Sequence, residues 1–427
     1  MSGGHRPTEV TLGRRWIIEG RCLGAGDEEA RRTRLLIDRE SGTIRERGDL
    51  PGAPDRVLPE SCLLLPGLLD LHVHCRDDPS GAERHKEDFG SASLAALHGG
   101  VVLIGDMPNN PRAPVDARSH AAKRALVDER ALVDVLLYAG IAPGTRPLDE
   151  PLPYKCYYGP SVGDLDLSRS ASPGEALAPY RGCFVSFHAE KSALLEAARE
   201  APTHEQRRPP EAEARAIEEI ARIAADHGLR AHIAHLSSAA GLEEVRRARA
   251  GGLPMTCEVA PHHLCFDQEN RAGLARGEWL RMNPPLRAPE DRRTLREAFL
   301  AGEIDILATD HAPHTIEENA RGISGVPHLD TVAPLLALLA AEGFPWPLLM
   351  ERAAAAPARL FADFIDGRLG DLEEGALASF TVIDLESPWT VAAGDLSTRA
   401  GWSPFEGLEL PGRVVMTAVR GRMYEMR

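Results

Sequence analysis

The sequence predicts an α/β fold: a (β/α)8 barrel of the TIM type carrying a small composite β-sandwich formed by both termini. Three observations point to it. Short apolar runs alternate with amphipathic stretches through the middle of the chain. The two ends are strand-rich and broken by turn formers, and metal-competent side chains close several of the apolar runs. Alternating strand and helix signals are the pattern of a parallel sheet with helical crossovers.

The candidate strands, in order, are Cys62–His72, Val101–Met107, Leu132–Ala139, Tyr154–Tyr158, Cys183–His188, Arg230–His235, Pro254–Val259 and Ile304–Thr309. Each is a short apolar run of the kind buried on both faces in a parallel sheet. Helix-like segments lie between several of them: Phe89–His98, Ala117–Glu129, Ala212–His227, Gly241–Ala250 and Pro289–Ala301. Before residue 60, short segments such as Trp16–Ile18 and Arg34–Asp38 are separated by turn residues, and after Arg368 the pattern returns, with Arg413–Val419 as a clear strand. The chain is accordingly divided into residues 1–60 and 367–427 for the sandwich and 61–366 for the barrel. No internal repeat or low-complexity tract interrupts this order.

At 427 residues there is ample chain for a large and a small unit, and 43% hydrophobic with 26% charged residues is an ordinary globular composition. The net charge of −15 argues against nucleic acid or an anionic membrane as the main partner. It leaves an anionic small molecule open, because a local cationic pocket outweighs a distant field at cellular salt. The seven cysteines form no Cys-x-x-Cys pair, and several sit inside apolar runs. They read as reduced, buried thiols. Met1–Pro7 lacks an apolar signal core and no 18-residue apolar stretch occurs, so a cytoplasmic location is expected.

The chemistry begins at P-G-L-L-D-L-H-V-H-C-R, residues 66–76. On a strand, residues i and i+2 face one side, so His72 and His74 can present two imidazoles to one point, with Arg76 following at the strand's mouth. Neutral imidazole is the commonest zinc ligand, and arginine suits a carboxylate. Alone, such a pair is more often a surface turn. What lifts it is the company: His188, His235 and Asp310 each close another apolar run, at the strand ends where barrel sites are built. Such a set can hold one or two divalent ions. Lys155, in P-Y-K-C-Y-Y-G, has aromatic neighbours that should lower its pKa by desolvation. A neutral amine can take up carbon dioxide as a carbamate that bridges two cations; the bland alternative is a lysine that snorkels to solvent.

Together these segments resemble the cyclic amidohydrolases, most closely the dihydroorotases with a carboxylated lysine. The match is carried by the opening segment, D-M-P-N-N-P at 106–111 and Y-K-C-Y-Y-G-P-S-V-G-D-L at 154–165. It continues with F-H-A-E at 187–190, H-I-A-H-L-S at 232–237, C-E-V-A-P-H-H-L at 257–264 and M-N-P-P-L-R at 282–287. A-T-D-H-A-P-H-T at 308–315, G-I-S-G-V-P at 322–327, S-P-W-T-V and G-W-S-P-F-E-G complete it. The resemblance implies an amidohydrolase barrel with two zinc ions. His72 and His74 would bind one and His188 and His235 the other, with carboxylated Lys155 bridging them. Asp310 would bind metal and act as catalytic acid/base. Arg76 and Asn109 match carboxylate-binding positions, and Asn283, His314, Ser324 and Gly325 match ring-binding positions. His232, His262 and His263 are read as supporting residues, and His85, His98 and His120 as structural.

The implied reaction is the reversible hydrolysis of dihydroorotate to N-carbamoyl-aspartate in pyrimidine biosynthesis, on a small anionic substrate. A homo-oligomer and an association with aspartate carbamoyltransferase are partners compatible with that role. The alternatives are an allantoinase, a hydantoinase or dihydropyrimidinase, and a non-catalytic homologue serving as a scaffold. The chain departs from the family pattern in three places, one being the tyrosines of the lysine segment, Tyr154, Tyr157 and Tyr158, where smaller or more aliphatic residues are frequent. Cys75-Arg76-Asp77-Asp78-Pro79-Ser80 stands where Leu-Arg-Glu-Pro-Gly is frequent after the histidines, and Gly100-Val101-Val102-Leu103 replaces a common Gly-Val-Thr-Thr.

Overall fold

Apolar runs that no water can reach become parallel strands, and here they close into a barrel. The computed structural model describes residues 7–160, 165–167, 170 and 172–426. Residues 161–164 of the lysine motif and the first six residues of the chain lie outside the described residues. Leu68–Val73, Val101–Asp106, Tyr154–Tyr157 and Phe184–His188 are buried at every position. The third strand is interrupted at Tyr138: Asp134–Leu137 pairs with the second strand and Ala139–Gly140 with the fourth. From the fourth strand the parallel ladder runs through Phe184–His188, Arg230–Ile233 and Thr256–Val259 to Ile306–Leu307. A parallel bridge from His311 to Val73 joins the eighth strand's continuation to the first and closes the ring.

The expected helices are present, and their caps explain the one- or two-residue differences at their ends. Phe89–His98 and Ala117–Arg130 each start with a capping box, Asp88 with Ser91 and Asp116 with Ser119. Pro210–His227 opens on a proline and stops at Gly228, whose φ of 66° is left-handed. Ala239–Ala250 is capped by Ser238, and Pro289–Leu300 again opens on proline. Among the described residues no helix is long and apolar enough to cross a membrane.

The termini build one nine-stranded sheet around a core of its own, containing Trp16, Ile18, Leu35, Ile37, Phe380, Val382 and Met416. Its order runs from Thr8–Val10 through Arg422–Glu425, Arg413–Val419, Phe380–Asp384, Cys62–Pro66, Arg15–Cys22 and Arg31–Asp38 to Thr43–Gly48. The short Arg56–Val57 strand lies off this path against Arg15–Cys22. Bulges at Val382/Ile383 and Leu36/Ile37 bend it.

The single strand expected over Cys62–His72 is therefore two, and Gly67 is where the chain changes sheets. Its N–H donates to Ser379 of the terminal sheet at 3.1 Å, while the next N–H, of Leu68, donates to Gly100 of the barrel at 3.1 Å. Two consecutive buried runs give no periodicity break to mark such a handover. The glycine is required by close approach: a Cβ at residue 67 would lie 2.4 Å from a Val102 methyl.

Gly67→Ala should cost about 1–3 kcal/mol, as overpacking does, read as a lower denaturation midpoint. Val102→Ala should cost less in the Gly67→Ala protein than in the parent. Strictly additive costs would show that the close approach is not the constraint.

Candidate active site

The strand ends bring the sequence-predicted residues to one place. His72 lies in the first strand and His74 just beyond it. Lys155 lies in the fourth strand, and His188 ends the fifth. His235 follows the sixth strand, and Asp310 follows the eighth. They surround a cavity of about 350 Å³ at the C-terminal mouth of the barrel, which Arg76, Asn109, Asn283, His314, Ser324 and Gly325 also line. Of the predicted metal and substrate residues Lys155 alone does not line the cavity, being fully buried; His232, His262 and His263, read as supporting residues, do not line it either. His85, His98 and His120 do not line it. A larger cleft of about 600 Å³, near Asp88, Arg130 and Arg399, has no histidine among its described lining residues.

The spacing of the donor atoms fits metal binding. His74 Nε2 and His72 Nε2 lie 3.1 and 3.3 Å from the same oxygen of Asp310. Two ligands at zinc distances in a tetrahedron are about 3.3 Å apart. His188 Nδ1 and His235 Nε2 face each other at 2.9 Å. Burial pushes the pKa values of His72, His74 and His235 down, which keeps them neutral, the form that binds metal. His235 Nδ1 is buried without a hydrogen-bond partner. Burial also lowers Lys155 to about 8, against the pull of Glu258 and Asp310. Its Nζ stands 3.4 Å from His72 Nε2 and 3.4 Å from Ser186 Oγ. Burial raises Asp310.

The backbone is strained where these groups converge. Arg76, His235 and Asp310 have φ values of 56°, 37° and 54°, and among the described residues only Arg420 is another non-glycine residue of this kind. Such conformations persist when surrounding contacts over-determine them. Arg76 is held by Nε–H to the Pro313 carbonyl at 3.2 Å and by Nη2–H to His314 Nε2 at 3.2 Å. His314 is held in turn by Trp402, whose indole donates to its carbonyl at 2.7 Å, so the C-terminal segment reaches the mouth of the site. Asn109 Oδ1 lies 2.6 Å from His74 Nδ1, where it accepts the imidazole proton and leaves Nε2 facing Asp310.

Two buried carboxylates at the site escaped the sequence reading. Glu258, in the seventh strand, bonds His72 Nδ1 through Oε1, and the same oxygen accepts the His235 backbone N–H at 3.1 Å. Its Oε2 lies 3.0 Å from His232 Nε2, whose other nitrogen is 2.9 Å from Thr256 Oγ1. Burial alone would raise Glu258, but His72 and His232 outweigh it and hold the carboxyl well below its usual range. Asp70, pushed up to about 7 by burial, receives the Thr309 N–H at 3.0 Å and its hydroxyl, and so ties the first strand to the residue before Asp310. Both acids lie inside motifs quoted above. The available signal was a lone acid embedded in an apolar strand, which burial makes costly unless it is paired.

A carboxylate on the far nitrogen of a histidine fixes its tautomer, and such partners matter about 10–100-fold to metal affinity. Glu258→Ala should lower zinc bound per chain, measured by metal analysis after dialysis against a weak chelator. Glu258→Gln, whose amide oxygen can still accept from His72, should lose less. Equal zinc retention by the parent and Glu258→Ala would contradict this role.

Residues 63–424 match the family described as the Amidohydrolase family. Proteins named dihydroorotase are similar over nearly the whole length. The one from Pyrococcus furiosus is 34% identical over 97% of this chain and 92% of its own. That from Thermococcus kodakarensis is 34% identical over 97% and 93%. Among solved structures, L-hydantoinase (dihydropyrimidinase) from Arthrobacter aurescens superposes with a TM-score of 0.81 at 23% identity, covering 95% of both chains. Dihydropyrimidinase from Brevibacillus agri does so with 0.79 at 21%, covering 96% and 94%. At that identity the likeness is one of fold. With the family pattern spanning the barrel and the C-terminal strands of the terminal sheet, the chain belongs to the amidohydrolase family.

Proposed function

We propose that the chain is a dihydroorotase, hydrolysing the cyclic amide of dihydroorotate to N-carbamoyl-aspartate and closing it in reverse. The observation that carries this is the shared cavity: a cation and an amide, Arg76 and Asn109, stand beside two converging pairs of histidines. That pairing suits a ring bearing a carboxylate, and the similar full-length proteins named dihydroorotase support it. The hydantoinase alternative rests on fold likeness alone and leaves the arginine without a partner.

His72 and His74 would hold one zinc ion and His188 and His235 a second, with Asp310 as a further ligand and carboxylated Lys155 between them. The buried, easily neutralised amine of Lys155 supports this. Bound metal would supply Lewis-acid polarisation of the carbonyl and a water acidified towards neutrality. The chain's own residues do the rest. Arg76 and Asn109 orient the substrate carboxylate; Asn283, His314 and the Ser324–Gly325 backbone position the ring. In hydrolysis the ring C–N bond breaks, the carbonyl carbon gains the oxygen of water, and the ring nitrogen gains a proton. Asp310 takes the water's proton and delivers it to that nitrogen, one carboxyl acting as base and then acid.

Assayed side by side, the zinc-loaded protein should turn over dihydroorotate in preference to allantoin, hydantoin and dihydrouracil. A preference for a neutral ring would overturn the reading, and zinc near zero in protein grown with ample metal and bicarbonate would revive the scaffold reading. Arg76→Ala removes a charge-assisted contact of about 1.5–3 kcal/mol, so KM should rise about 10–150-fold with normal zinc content; loss of zinc would mean Arg76 is structural. Hydrolysis starts with Asp310 ionised and cyclisation with it protonated, so cyclisation should be favoured at lower pH. Identical pH profiles in both directions would rule out this role for Asp310.

A further inference from the structure

The departure from the family pattern after Arg76 has a structural use. Asp77 and Asp78 are both buried. Asp77 receives Arg84 Nε at 3.1 Å on one oxygen and Arg130 Nη1 at 2.6 Å on the other. Asp78 Oδ2 accepts the Arg112 backbone N–H at 2.9 Å, which ties this loop to the one carrying Asn109. On the other side of Arg76, the Cys75 N–H donates to Asp106 Oδ1 at 2.9 Å. The second oxygen of Asp106 lies 2.5 Å from Lys123 Nζ. Lys123 also donates to the Met107 carbonyl at 3.2 Å and to the Asn110 side chain.

Lys123 is fully buried, where an ammonium group is costly unless it is paired and hydrogen-bonded, as it is here. Lys123 and Arg130 belong to one helix, Ala117–Arg130. That helix therefore grips the residues on both sides of Arg76 and, at 107 and 110, the residues that bracket Asn109. A two-pronged contact with a carboxylate is strong only when both donors are correctly aimed. Losing the aim weakens binding of the charged group.

We propose that the helix Ala117–Arg130 is a positioning platform for the substrate carboxylate. Lys123, through Asp106, Met107 and Asn110, and Arg130, through Asp77, set the separation and aim of Arg76 and Asn109. The inference rests on reading Arg76 and Asn109 as carboxylate contacts. Lys123 and Arg130 are positioning residues that need not touch substrate.

The test uses the full-length, zinc-loaded protein and dihydroorotate, with kcat, KM, zinc content and unfolding temperature measured together. Arg130→Ala leaves Asp77 its second partner, Arg84, and the unfolding temperature reports any loss of stability. Lys123→Met is paired with Lys123→Met/Asp106→Asn, which leaves no lone buried charge. Arg130→Ala should raise KM about three- to tenfold and the Lys123 variants more than about tenfold, with kcat and zinc within about twofold of the parent. In an Arg76→Ala background the same changes should raise KM by less than they do in the parent. A lowered unfolding temperature with unchanged KM would reduce the platform to a structural support and overturn the proposal. Equal KM increments in both backgrounds, or zinc loss that accounts for the defect, would do the same. If Arg76→Ala itself leaves KM unchanged, the carboxylate reading falls and takes this inference with it. If Arg76→Ala raises KM but the helix variants do not, only the platform fails.

Discussion

A single carboxylate in the seventh strand, Glu258, stands where three strands must agree on the position of imidazoles. One of its oxygens meets His72 from the first strand and the His235 backbone after the sixth; the other meets His232 within the sixth. A buried ionised group is tolerated only when its lone pairs are used, and here they are used on His72, His232 and the His235 backbone. The consequence runs in both directions. The histidines keep Glu258 ionised, and Glu258 keeps the His72 proton on the nitrogen that faces away from the site. Asp70 does comparable work between the first strand and Thr309, beside Asp310. The converging imidazoles are thus one visible side of a buried polar layer that ties four barrel strands together.

The same constraint accounts for the strained residues. Arg76, His235 and Asp310 leave their strands in left-handed conformations that non-glycine residues avoid. Each is held by contacts outside its own strand: Arg76 by Pro313 and His314, His235 by Glu258, and Asp310 by its neighbours through Thr309 and Asp70. A strand that continued straight would carry its terminal side chain along the barrel wall. The left-handed turn instead brings it over the cavity. Strain at these positions belongs to the geometry that gathers ligands from separate strands at one point.

Much of this was legible in sequence, for a physical reason. Buried parallel strands advertise themselves as apolar runs, and a polar residue closing such a run stands out, as His188, His235 and Asp310 do. Lys155 was legible by its aromatic company, and its full burial accords with that. The rest depended on partners distant in sequence. Nothing local marks Gly67 as the crossing from one sheet to another, because the runs on either side are equally apolar; only the Val102 methyls across the interface require glycine there. Glu258 and Asp70 looked like isolated acids in strands, since His72 lies 186 residues from Glu258 and Thr309 lies 239 from Asp70. The Asp77-Asp78 pair was visible as a departure, but its meaning lay in Arg130 and Arg112.

Those aspartates bear on how a chain of net charge −15 can receive an anion. Two acids directly after the binding arginine would, if free, cancel its attraction for a carboxylate. Asp77 is instead paired from behind with Arg84 and Arg130, and Asp78 is occupied by the N–H groups of Ser80 and Arg112; Asp106, which holds the Cys75 N–H, is paired with Lys123. Charges paired at 2.5–3.1 Å present little field at the distance of a bound ligand. The remaining surface charge is screened over about 8 Å at physiological salt. At the mouth of the cavity Arg76 stands beside His314, which burial and the Arg76 and Lys86 charges keep neutral, while of the two lining carboxylates Glu83 is paired with Lys86 and Asp310 sits among the histidines. The supporting carboxylates fix where the guanidinium points without taking it for themselves, so a protein that repels anions overall can still present a cation to one of them.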